Sequence, residues 1–123
     1  MKAALISIGL CLVLACDSVT APIDGTLTVR AAPPMLELIN HSPAAIYTFP
    51  IERGAAAYTD WAPCTDPTSC AAIGVGQSAA LPYSQIAAYT TAAREAIVFW
   101  WHLIPGGPTG FQPDSIRAVV VTL

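Results

Sequence analysis

The sequence predicts an all-β fold, a small antiparallel β-sandwich, with a small β-barrel as the alternative closure. Two observations lead there. Short apolar runs with a period of two recur along the chain, and Pro- and Gly-rich connections separate them with no internal repeat. Only one stretch, Tyr83 to Ala96, lets a helical spacing compete with an extended one.

The first strand signal is Thr26 to Ala32, where Leu27, Val29 and Ala31 alternate with Thr26, Thr28 and Arg30. Pro33-Pro34 ends it. Met35 to Asn40 follows, with Leu36 and Leu38 on one face and Glu37 on the other, and Asn40-His41-Ser42-Pro43 is a turn cluster. Ile46 to Ile51 puts Tyr47, Phe49 and Ile51 on one face and Ile46, Thr48 and Pro50 on the other. Because proline cannot donate to a ladder, Pro50 places this strand at an edge or at its own end.

Arg53-Gly54 closes that element. Ala55 to Trp61 fits no single pattern, Pro63 to Gly76 is loop-like, and Ser78 to Tyr83 reads as a short strand. In Tyr83 to Ala96, Ile86, Tyr89 and Ala93 lie at helical spacing, but Tyr89-Thr90-Thr91 favours extended backbone. The balance predicts strand and loop with one helical turn. Ala96 to Ile104 is the strongest strand, with Ile97, Phe99, Trp101 and Leu103 expected in the core and Val98, Trp100 and His102 outside. Pro105-Gly106-Gly107-Pro108 and Gly110 turn the chain, and Ser115 to Leu123 returns as the second arm of a hairpin.

The first residues belong to a different order of organisation. Lys2 supplies a positive start, Ala3 to Ala15 are uncharged and almost wholly apolar, and Val13-Leu14-Ala15 places a small residue before Cys16. This resembles a bacterial lipoprotein signal peptide, a signal helix ending in a lipobox. The resemblance implies cleavage before Cys16, diacylglycerol and acyl chains on that cysteine as the sole non-protein group, and location on the exported side of a membrane in the cell envelope. Residues 1–15 are then the signal peptide, 16–25 the lipidated cysteine and its tether, and 26–123 the sandwich domain. Asp17 resembles the retention residue of enteric lipoproteins, a rule that not all bacteria share, so inner and outer membranes both stay open. The apolar run spans only about 20 Å as a helix, short of the roughly 30 Å hydrocarbon core. The sandwich itself resembles immunoglobulin-like and fibronectin-like domains in architecture only.

Composition narrows the function classes. From Cys16 onward, eight acidic residues face four arginines, a formal charge of −4, with no lysine. Such sparse, scattered charge offers no track for phosphates, so nucleic acid is not an expected partner, and attachment to a membrane falls to the acyl chains. With Cys11 in the signal and Cys16 lipidated, Cys64 and Cys70 are left as an even pair in an exported protein, most simply a disulfide closing the loop Thr65–Ser69. Metal is not expected, because only His41 and His102, both distant in sequence, could join these two sulfurs.

The ionisable inventory supports no enzyme motif. His102, Asp114 and Ser115 assemble on paper into a hydrolytic triad, yet no G-x-S-x-G elbow accompanies them. Gly74-Val75-Gly76-Gln77 precedes no helix that would make it a phosphate loop. The most distinctive cluster is Trp100-Trp101-His102. Its expected outer face, Trp100 with Val98 and His102, joined by Val119 and Val121 of the last strand, is the candidate interaction surface. The expectation is a non-catalytic, lipid-anchored envelope domain contacting another envelope protein, with a carrier of a small apolar ligand or lipid, or a hydrolase using His102, as alternatives.

Overall fold

In a computed structural model, Val19–Thr20 and residues 26–123 are described. The signal segment 1–15 and Cys16 lie outside these residues. Two four-stranded sheets stack as a sandwich, and neither closes into a barrel. The first has the order β1-β2-β3-β6, from β1 (Val19–Thr20), β2 (Leu27–Ala32), β3 (Met35–Asn40) and β6 (Ser78–Pro82). The second has the order β10-β7-β4-β5, from β10 (Arg117–Thr122), β7 (Glu95–Trp101), β4 (Ile46–Glu52) and β5 (Ala72–Ile73). A separate two-stranded ribbon, β8 (Leu103–Pro105) with β9 (Phe111–Pro113), projects from the connection between β7 and β10. Gly107 and Gly110 adopt positive φ in its turn, which L side chains rarely tolerate.

The period-two pattern sets the first sheet as expected. Leu27 and Val29 of β2 and Leu36 and Leu38 of β3 are buried in the core, and β2 pairs with β3 from Leu27↔Asn40 to Ala32↔Met35. Two residues of the expected tether belong to this sheet. Val19 and Thr20 pair antiparallel with Arg30 and Val29, which gives the sheet a strand before Thr26.

The second sheet is inverted relative to expectation. Val98 is fully buried and Trp100 is 1 % exposed, both facing the inter-sheet core with Ala96, Val119 and Val121. Ile97, Phe99 and Trp101 occupy the other face, in register with Ile51, Phe49 and Tyr47 of β4. That face is not left to solvent, because the chain between β4 and β5 folds back across it. Trp61 stacks on Phe49 at 4.8 Å and lies 4.8 Å from Phe99 and 5.9 Å from Trp101. The Trp101 indole donates to the Cys64 carbonyl at 3.1 Å. The central strands are therefore apolar on both faces because both faces are covered.

Pro50 sits in β4 without breaking the ladder. Its carbonyl accepts from Ala87 on the edge away from β7, and a strand residue directs N and C=O to the same side. Its missing donor thus faces the edge where β5 has ended. The helix α1 (Arg53–Ala56) is a single turn, capped by the Glu52 carboxylate, which accepts from Gly54 and Ala55 N–H groups. The contested stretch resolves to a 3-10 turn at Tyr83–Gln85, a loop, and β7 from Glu95.

Candidate functional site

Two features stand out beyond the core: a polar cluster at one end of the sandwich and an apolar cleft along one seam.

The cluster begins with Asn40, the last residue of β3, which is fully buried. Its Nδ2 donates to the carbonyls of Ala44 at 2.8 Å, Ile73 at 2.9 Å and Gly74 at 3.2 Å. Its Oδ1 accepts from Ser42 N–H at 2.8 Å and lies 2.7 Å from Ser42 Oγ. A buried carboxamide is stable only when donors and acceptors are used, and here both are. The turn after β3 is thereby fixed, and Ser42 is pressed into the interior at 2 % exposure.

Ser42 Oγ lies 2.9 Å from His102 Nε2, and His102 Nδ1 lies 3.0 Å from Asp114 Oδ2. His102 occupies the break between β7 and β8, and Asp114 immediately follows β9. Asp114 also accepts from the His102 backbone N–H at 2.9 Å and Ser115 N–H at 2.7 Å. Arg117 grips both carboxylate oxygens at 3.3 and 3.2 Å and lays its guanidinium 4.6 Å from the centre of the Trp100 ring. Burial raises the Asp114 pKa, but hydrogen bonds from Arg117, the His102 and Ser115 backbones and the His102 ring outweigh it. The carboxyl is held well below its ordinary range.

A carboxylate facing Nδ1 requires a proton on that nitrogen, whereas the single proton of the Ser42 hydroxyl has three neighbours to serve, Asn40 Oδ1 and the Ala44 carbonyl at 2.7 Å each and His102 Nε2 at 2.9 Å. This is the serine–histidine–aspartate order used in nucleophilic catalysis. His102 and Asp114 are two of the three residues that sequence alone could assemble only on paper, and the hydroxyl that joins them is that of Ser42 and not Ser115. Nucleophilic attack also needs an open approach, and the turn 42–44 encloses Ser42 Oγ between Asn40 and Ala44. In this geometry the three residues tie the turn after β3, in the first sheet, to the end of β7, in the second.

Linkage gives this tie a pH signature. A depressed folded pKa contributes stability that is complete above the unfolded value, near pH 4, and is lost as pH falls through the folded one. Asp114→Asn is expected to flatten the fall in urea midpoint below about pH 4 relative to the parent. Asp66, lowered mainly by the Thr68 hydroxyl, retains a share of the acid sensitivity.

The cleft, about 450 Å³, opens between the β6 edge and the β5–β4 edge. Leu38, Tyr47, Ile73, Leu81 and Trp101 line it, with the Cys64–Cys70 disulfide at its rim. The two cysteines are bonded, with Cα atoms 5.9 Å apart, as the sequence predicts.

The residues of the expected outer face are mostly buried. Trp100, Val98, Val119 and Val121 are core residues, and although β10 does bring Val119 alongside Val98, both face inward. Only His102 of that group reaches the surface, with its side chain 16 % exposed. Sequence reasoning missed Ser42 as a partner of His102, and Asn40 and Arg117 as the residues that hold Ser42 and Asp114 in place. The turn signal Asn40-His41-Ser42-Pro43 was visible, but its contact with a strand 60 residues later has no local signature. No group of three or more metal-ligating side chains occurs among the described residues. No protein-family model, no curated protein and no solved structure matches the chain.

Proposed function

We propose that the protein is a non-catalytic, lipid-anchored domain of the bacterial cell envelope, acting as a protein-interaction or structural accessory. The observation that carries this reading is the amino-terminal sequence, in which Lys2, the run Ala3 to Ala15 and Cys16 together form a lipobox-type signal. The enclosed Ser42 hydroxyl supports a non-catalytic role, since the nucleophile of the one triad-like arrangement described has no open approach. Several acyl chains on Cys16 give firm anchoring where one chain binds only marginally.

Fractionation and mass spectrometry test the anchor. The mature protein is expected in the membrane fraction with Cys16 as its acylated first residue, and Cys16→Ser is expected to abolish that modification and membrane retention. An intact Met1 or an unmodified Cys16 in the parent overturns the reading.

The seam cleft favours a second reading, a carrier of a small apolar ligand, because its walls are largely aliphatic and aromatic. Solvent extraction of the membrane-purified protein separates the two. An apolar molecule recovered in stoichiometric amount, and lost when Ala79→Trp fills the cleft wall beside Leu38, favours the carrier.

A further inference from the structure

We propose that the domain rests against the membrane surface by its β1 side, near the Pro33–Pro34 turn, so that the seam cleft and the β8–β9 ribbon face away from the lipid. This inference depends on the lipid-anchor reading and adds to it an orientation and a contact surface. The occupant of the β1 side is a phospholipid head-group layer.

The argument is one of chain length and strand direction. Only Asp17 and Ser18 separate Cys16 from Val19, which is already paired with Arg30. At no more than about 3.6 Å per residue, the acylated residue lies within about 11 Å of Val19. Whatever path those residues take, the lipid surface must come that close to β1. An anchor on a long free tether would impose no such limit.

The position of β1 then decides what faces the lipid. It is the edge strand of the first sheet, and β6 lies at the opposite edge, three strand spacings or about 14 Å away. In the second sheet β10 lies beside β1 and β2, whereas β5 is at the far edge. Both sheets therefore place the β5–β6 cleft on the side remote from the anchor. Along the strands, Thr20 pairs with Val29 and Val19 with Arg30, so tracing back toward Cys16 leads toward Ala32 and the Pro33–Pro34 turn. The ribbon leaves from the other end. It begins at His102, which is tied through Ser42 to Asn40, and β3 runs from Met35 beside the turn to Asn40. Five residue steps at about 3.3 Å separate these two ends by about 17 Å before the ribbon's own length is added.

The outward side is then the one able to meet other molecules. The ribbon carries no charged residue from Leu103 to Pro113, and Ile104 and Phe111 are 39 % and 37 % exposed on it. Held against lipid, it would be unavailable to an envelope partner. Held outward, it is displayed together with the cleft.

Spin labels report the orientation in the lipidated full chain. Nitroxides are attached at Arg30→Cys, Ala80→Cys and Thr109→Cys, all exposed positions, and each protein is reconstituted in phosphatidylcholine–phosphatidylglycerol vesicles containing a nickel-chelating lipid. Head-group nickel is expected to relax the label at position 30 severalfold more than those at 80 and 109. Equal relaxation at all three positions, or the strongest effect at 80 or 109, overturns the orientation. Mass spectrometry of the same sample reads the anchor independently. An acylated Cys16 with the wrong relaxation order defeats the orientation alone, whereas an unmodified Cys16 removes both claims.

Discussion

Trp100→Ala is expected to destabilise the fold by about 3–5 kcal/mol, the range for emptying a large aromatic site in a packed core. Trp100 is 1 % exposed at the centre of the second sheet, between Thr48 and Arg117 in register. Its loss removes inter-sheet packing and the surface on which Arg117 lies, loosening the guanidinium that holds Asp114. The indole N–H has no hydrogen-bond partner among the described residues. Trp100→Phe is therefore expected to cost much less than the alanine change, because it keeps a ring and deletes a buried donor with no acceptor. Chemical denaturation of the two variants measures both effects. A cost below about 1 kcal/mol for Trp100→Ala would instead fit a residue lying on the outer face.

That variant also probes a place where the sequence misled. Alternation finds β7 but carries it on to Ile104, past the break at His102 where the ribbon leaves, and it cannot say which face of β7 is the core, because both are apolar. Ile97, Phe99 and Trp101 outweigh Ala96 and Val98 in size, so the bulkier set is the natural choice for the interior. The deciding residue is Trp61, which lies in a stretch with no periodicity and reaches Phe49, Phe99 and Trp101 only after the chain has turned back. β10 held a weaker clue. Val119 and Val121, which face the core, alternate with Ala118, Val120 and Thr122, a set that includes a small residue and a hydroxyl.

The polar cluster shows the same division between local and distant information. Strand ends, the Asn40–Pro43 turn and the ribbon glycines announce themselves because turn chemistry is local. The pairing of His102 with Asp114 was also within reach, since the two flank one ribbon. Ser42 was not, because its approach to His102 depends on how two sheets stack, and sheet stacking depends on the inversion just described. The hidden partner and the wrong face thus have one origin.

The cluster's centre provides the second large effect. Asn40→Ala is expected to cost about 3 kcal/mol, since it strips the Ala44, Ile73 and Gly74 carbonyls of a shared donor and leaves Ser42 N–H without its acceptor. Asn40→Asp separates shape from hydrogen bonding. It preserves volume and keeps an acceptor for Ser42, but replaces the donating Nδ2 with an oxygen directed at three carbonyls. Near neutral pH the aspartate is expected to be at least as damaging as alanine, because a buried charge is added to the lost donor. Burial among acceptors disfavours the charged form, so its folded pKa lies above the unfolded one and the penalty shrinks as pH falls. Denaturation midpoints at about pH 7 and about pH 4 check the sign: relative to the parent, the aspartate variant should recover at the lower pH while the alanine variant does not. A penalty on the aspartate variant that grows in acid would mean that the carboxyl is ionised in place and stabilised there, and that the site does not demand a donor.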